Sequence, residues 1–223
     1  MKPYNSLSDH LKEKLGAKTV KLSVNAGFSC PNRDGKISRG GCIFCSGSGS
    51  GDFAPPADMP IDKQLELSRQ RISAKWPDAK YIAYFQAFTN TYAPVDVLEK
   101  KYNEALSCPW ISGIAIATRP DCMGDGVADL LKDISEKTYL WVEFGLQTSR
   151  EDTAELINRG YKNEVYLDAM EKMKKRGIET VTHIILGLPG ETREDMRNSV
   201  TFAAEARTDG IKLQLLHVIR GTR

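Results

Sequence analysis

The sequence predicts an α/β fold built on a parallel sheet. Six short apolar, β-rich runs recur along its 223 residues. Each is nearly continuous in hydrophobicity rather than alternating, as expected of strands covered on both faces. Between them lie stretches with apolar residues at helical spacing, and strand–helix repeats of this kind build parallel sheets with right-handed crossovers.

The first strand is expected over residues 19–24 (TVKLSV), and the second over 81–85 (YIAYF). A helix over 61–76 precedes the second strand, opened by Pro60 and carrying Ile61, Leu65, Ile72 and Trp76. Residues 94–106 form the next helix, with proline at its first turn and Val97, Leu98, Tyr102 and Leu106 on one side. The third strand covers 111–118 (ISGIAIAT) and is followed by a helix over 125–137. The fourth covers 139–145 (YLWVEFG), and the helix after it, 163–176, ends at Gly177. The fifth covers 180–186 (TVTHIIL) and leads to a helix over 191–207 with a cap at Thr192 and acidic residues in its first turn. The sixth covers 211–218 (IKLQLLHV). Six strands are too few for a closed eight-stranded barrel. The expected fold is the curled alternative to a flat sheet, a partial (β/α)6 TIM-like barrel with parallel strands in one domain, 1–223. No helix follows the sixth strand, so a continuation beyond residue 223 is expected. In this architecture active residues belong at the carboxyl ends of the strands.

Apolar residues make up 41% of the chain and charged residues 27%, with a net charge of +2, which fits a soluble globular protein and neither requires nor excludes a nucleic-acid partner. The N-terminal run MKPYNSLSDHLKEK lacks the apolar segment of a signal peptide, and no stretch approaches the ~20 apolar residues of a membrane span. Five cysteines without a secretion signal point to a reducing, cytoplasmic setting, where clustered cysteines bind metal or do redox work more often than they form disulfides.

Three of those cysteines carry the sharpest signal. Cys30, Cys42 and Cys45 lie in SCPNRDGKISRGGCIFC, just after the first strand, with eleven residues in the first gap and two in the second. Three thiolates can hold an iron–sulfur cluster and leave one coordination position open for chemistry. Gly35, Gly40 and Gly41 allow backbone to wrap closely, and Phe44 is placed to shield a cluster face. A zinc knuckle is a second reading, with His10 as the one local candidate for a fourth ligand; three unrelated buried cysteines is a third.

Polar residues converge on the same rim. Gln86, Thr89 and Asn90 follow the second strand, and Arg119 in TRPD follows the third, offering a planar fork for a carboxylate. Glu143 interrupts the apolar fourth strand and requires a partner, Arg119 being one; Gln147 follows it. GLPGET, with Gly187, Pro189 and Gly190, follows the fifth strand, and His217 lies in the sixth. The GSGSG run at 47–51 lacks the lysine and following helix of a phosphate-binding loop and reads as a mobile loop.

In order, the cysteine loop, TRPD, VEFGLQT and GLPGET resemble a radical S-adenosylmethionine (SAM) enzyme. They are most similar to an uncharacterised bacterial subfamily close to the Elongator-catalytic-subunit and coproporphyrinogen-oxidase branch, in which the first cysteine gap is widened. The resemblance covers about residues 15–220. It implies a 4Fe–4S cluster on Cys30, Cys42 and Cys45, with SAM on the fourth iron and an electron donor such as a flavodoxin or ferredoxin. It places Gln86, Ala87 and Phe88 at the segment that contacts the SAM amino group, where the usual glycines and glutamate are absent, with Thr89 beside them as a further cofactor-binding candidate. Glu143 and Gln147 would hold the SAM ribose or methionyl part, Arg119 the SAM carboxylate or the substrate, and Leu186 to Pro189 with His217 the adenine-side wall. Cys122 would face the rim as a redox partner or hydrogen-atom donor, against the alternative of an inert buried thiol. Transfer RNA is the implied substrate, since the branch modifies wobble uridine, and basic residues at Lys172, Lys174, Lys175 and Arg176 and at Arg69, Arg71 and Lys75 form candidate contacts. A small metabolite or peptide substrate, and a non-catalytic zinc module, are the alternatives.

Overall fold

The computed structural model describes residues 3–222. Six parallel strands run in sequence order, β1 (Thr19–Val24), β2 (Lys80–Phe85), β3 (Ile111–Thr118), β4 (Tyr139–Gln147), β5 (Glu179–Leu186) and β6 (Gly210–Leu215). Among the described residues seven α-helices accompany them, α1 (Leu7–Leu15), α2 (Ile61–Ser73), α3 (Val95–Leu106), α4 (Asp125–Ser135), α5 (Glu151–Leu156), α6 (Asn163–Lys175) and α7 (Arg193–Glu205), with a single 3-10 turn at Pro120–Cys122. None is long and apolar enough to cross a membrane, among the described residues.

The sheet is curled into a half-barrel. Lys212 Nζ on β6 lies 3.3 Å from the Tyr84 hydroxyl on β2. Four strand spacings of about 4.8 Å separate those strands in a flat sheet, more than the two side chains can bridge. Both faces are therefore covered. The convex face packs against α2, α3, α4 and α6 through Leu65, Leu98, Leu131 and Met173, among others. The concave face holds Ile82, Tyr84, Ala115, Ala117 and Trp141, and Leu11 of α1 closes its lower end.

Helix α1 was not expected, although its signals are local. Ser6 accepts a hydrogen bond from the Asp9 amide, Leu7, Leu11 and Leu15 share one face, and Gly16 ends the helix in the left-handed conformation at φ 77°. The Thr192 cap of α7 is a reciprocal capping box with Asp195. β6 ends at Leu215, so His217 follows the strand rather than lying in it.

Candidate active site

Strand parity decides which side chains reach the concave side, because successive residues of a strand point to opposite faces. On β4 that side receives Trp141, Glu143 and Gly145; on β5 it receives His183 and Ile185. A cavity of about 260 Å³ opens at the carboxyl ends of the strands, and Cys30, Cys42 and Cys45 all line it. Gln86, Phe88 and Thr89 from the β2 end, Arg119 from β3, Glu143 and Gln147 from β4, and His217 after β6 line it too.

Asn90, Leu186 and Cys122 are not brought there; Asn90 is fully buried and donates to the carbonyls of Phe85 and Ala117. Leu186 has the opposite parity and lines a separate groove with Met196 and Val200 of α7; its neighbour Ile185 faces the cavity instead. Cys122 lines a neighbouring pocket with Tyr92 and Asp121. Its Sγ lies 3.7 Å from Asp121 Oδ1, and burial followed by the Asp121 charge pushes the thiol up to about 12. That environment suits the inert alternative.

The widened cysteine loop is held by backbone and amide contacts. The Cys45 amide donates to the Cys42 carbonyl at 3.0 Å, bringing these two residues into one tight turn. Arg33 donates to the carbonyls of Cys45 (2.8 Å) and Ser46 (2.5 Å). Asn32 is fully buried and donates to the Asn158 carbonyl, with its Nδ2 3.5 Å from Cys42 Sγ. Asn158, itself left-handed at φ 54°, returns hydrogen bonds to the Gly41 carbonyl and the Ser38 hydroxyl. The segment after α5 thus fastens a loop that its own sequence leaves long. Burial is the main force pushing the Cys42 thiol up to about 11, while Arg119 pulls the other way.

The GSGSG run is packed rather than loose. The Phe88 amide donates to the Gly49 carbonyl at 2.8 Å, and a Cβ on Gly49 would meet the Phe88 ring at 2.4 Å. Only glycine permits that approach, which sets the Phe88 ring against the cavity.

Arg119 does not pair with Glu143. Its guanidinium grips Asp121 at 2.9 and 2.6 Å, donates to the Arg159 carbonyl, and stacks on Tyr161 at 4.9 Å. Arg159, fully buried, donates to the carbonyls of Leu146, Thr148 and Tyr161. Tyr161 donates to the Gly145 carbonyl. The strand register shifts between Gly145 and Gln147, and Gln147 takes a left-handed φ of 70°. Its Oε1 is buried with no hydrogen-bond partner among the described residues. Asn32, Asn158, Arg159 and Tyr161 were not singled out in the sequence.

Glu143 sits at the floor of the cavity with five protein partners. Lys21 (2.9 Å) and Trp141 (2.9 Å) reach Oε1, while Tyr84 (2.8 Å), His183 (2.7 Å) and Lys212 (3.7 Å) reach Oε2. Burial alone would raise this carboxyl; the His183 hydrogen bond and the Lys21 charge hold it well below its ordinary 4.5. Burial lowers His183 from 6.5, and the two lysines add to that effect against the pull of Glu143. Both depressed groups make the unfolded chain the stronger proton binder. The stability these two groups contribute is present above pH 6.5 and is lost as pH drops below it, first through His183 and then, below 4.5, through Glu143. Urea midpoints measured between pH 7.5 and 5.5, about one unit either side of the free histidine value, are expected to fall with pH. His183→Gln should flatten that fall; an unchanged slope would contradict it.

The zinc alternative loses its fourth ligand. His10 lies at the lower end of the half-barrel, with Nε2 3.1 Å from both Tyr139 and Glu179. Among the described residues no three His, Cys, Asp or Glu side chains are grouped as a single-ion site. Cys30, Cys42 and Cys45 share one cavity wall, and an iron–sulfur cluster is the group that three thiolates hold with one position left open. The chemistry of the wall fits a cluster and SAM: Gln147 Oε1 is a free acceptor among the described residues, and Arg119 and Arg33 put positive charge beside the three thiols.

Comparison with known proteins agrees. The model of the radical SAM superfamily matches residues 30–203. The uncharacterized protein YtqA of Bacillus subtilis is 48% identical over 221 residues, covering 99% of this chain and 69% of its own length. Elongator complex protein 3 of Schizosaccharomyces pombe is 35% identical over 270 residues, covering 97% of this chain but 48% of its own. The structure of Methanocaldococcus infernus Elp3 superposes with a TM-score of 0.64 at 16% identity, over 92% of this chain and 47% of that one, a likeness of fold. The chain belongs to the radical SAM superfamily, whose enzymes work with a 4Fe–4S cluster and SAM.

Proposed function

We propose that Cys30, Cys42 and Cys45 hold the 4Fe–4S cluster through their thiolates and that the enzyme modifies RNA, transfer RNA foremost. The observation that carries the cluster assignment is the presence of all three thiols on one cavity at the carboxyl ends of the strands. A 4Fe–4S cluster and SAM bound there would supply one-electron reductive cleavage of the SAM S–C5′ bond, giving methionine and a 5′-deoxyadenosyl radical able to take a hydrogen atom from substrate. This chain's residues bind and orient. Gln147 Oε1 accepts from a ribose hydroxyl. Gln86 and Thr89 meet the methionyl amino group, and Arg119, fixed by Asp121, faces a carboxylate. Phe44, Phe88, Ile185 and His217 wall the cavity and exclude water. A flavodoxin- or ferredoxin-type donor supplies the electron.

The RNA assignment draws on the likeness to Elongator complex protein 3 along almost the whole chain. One observation favours a small substrate instead. Lys172, Lys174, Lys175 and Arg176 are each paired with acidic neighbours, namely Asp168, Asp209, Glu171 and Asp129, so the α6 end presents little free positive charge. Nucleoside profiles of transfer RNA from cells with and without the gene separate the two. Loss of one modified nucleoside is expected; identical profiles would end the RNA reading and leave the small substrate.

A further inference from the structure

The floor of the cavity carries a charge surplus on residues other than those assigned above to the cluster and SAM. Lys21 on β1 and Lys212 on β6 come from the two edges of the half-barrel and meet at a single carboxylate, Glu143. Their side chains are only 22% and 33% exposed. The other charges nearby are already matched: Glu179 takes Lys14 at 2.8 Å, and Asp209 takes Lys174 at 2.8 Å. His183 is held toward its neutral form, so two ammonium groups face one carboxylate among the described residues. The Tyr84 ring, 3.9 Å from Lys21 and 5.5 Å from Lys212, offsets part of the surplus. Glu143 and Lys212 line both the upper cavity and a lower one of about 460 Å³, and Lys21 lines the lower one, so the pair spans the junction between them from below. A half-buried surplus cation is costly unless an anion completes it.

Taking the upper cavity as the place where substrate meets the radical, we propose that Lys21 and Lys212 form the seat for an anionic oxygen group of the substrate, a phosphate or a carboxylate. With Glu143 occupied by its own hydrogen bonds, the two ammonium groups retain donors for an oxyanion between them. The seat is built from opposite edges of the sheet, so it exists only when the sheet is curled. It fits a nucleotide phosphate and an acidic metabolite alike, and the test tells them apart.

Isothermal titration calorimetry of the cluster-free protein, with sodium phosphate and with sodium acetate at constant ionic strength, reads the seat without SAM or iron. Saturable binding of one anion is expected, weakened about tenfold or more in Lys21→Gln and in Lys212→Gln and unaffected in Lys175→Gln on the outer surface. Preference for phosphate assigns a phosphorylated substrate, and preference for acetate a carboxylate. If a glutamine variant fails to fold, acetic anhydride labelling of the wild type replaces it, the bound anion shielding Lys21 and Lys212 from acylation. No saturable binding of either anion, affinity indifferent to both substitutions, or no shielding would overturn the seat. Because neither measurement uses the cluster, its failure leaves the radical SAM chemistry standing, and failed cluster assembly leaves the seat standing.

Discussion

Alanine at Cys30, Cys42 or Cys45 is expected to give a folded protein that binds no intact cluster and produces no 5′-deoxyadenosine from SAM under reducing conditions. All three thiols are free and partly exposed, so each substitution should cost only about 1 kcal/mol of stability. The loss is chemical. Three thiolates and an open corner are the minimum set, and two cannot hold the cluster in place. Cys108 is buried against the helical layer, away from the cavity, and serves as the control: Cys108→Ala should retain both iron and turnover. Iron and sulfide assays with product chromatography check all four variants. Product formation in any of the three loop variants would refute the ligand assignment.

Removal of the Glu143 carboxylate is expected to have the largest effect on stability. Glu143→Ala leaves two lysines, a tryptophan N–H and a tyrosine hydroxyl facing a void at the centre of the half-barrel. Breaking one side of a buried ionic network costs about 3–5 kcal/mol, which in a domain of this size lowers Tm by roughly 10 °C. Glu143→Gln keeps the shape and one acceptor and should lose less, while weakening SAM or substrate binding at the cavity floor. Thermal melting of both variants checks the order. A Tm for Glu143→Ala close to wild type would show that the lysines do not depend on it.

Most of the sheet was legible because parallel strands covered on both faces must be apolar throughout, and the six runs show it. The details that escaped depend on geometry that local sequence does not encode. TVTHIIL ends in three consecutive apolar residues, so parity is not marked there, and the cavity receives Ile185 where Leu186 was expected. The partner of Glu143 was sought nearby at Arg119. It lies instead on strands more than 60 residues away in either direction, at Lys21 and Lys212, which only curling of the sheet brings together. The role of Asn158 appears when the widened cysteine loop folds back over the segment after α5. The GSGSG run has the composition of a flexible linker, yet its lack of side chains is what admits the Phe88 ring. Helix α1 was the avoidable omission, since Ser6, the leucines and Gly16 mark both ends and the buried face.

Electron paramagnetic resonance of the anaerobically reconstituted, reduced protein, recorded before and after SAM is added, reaches the central claim most directly. A cluster on three cysteines has one iron free to bind SAM, so the signal is expected to change and to saturate near one SAM per chain. A protein that takes up zinc in place of iron, or a cluster signal indifferent to SAM, would contradict it.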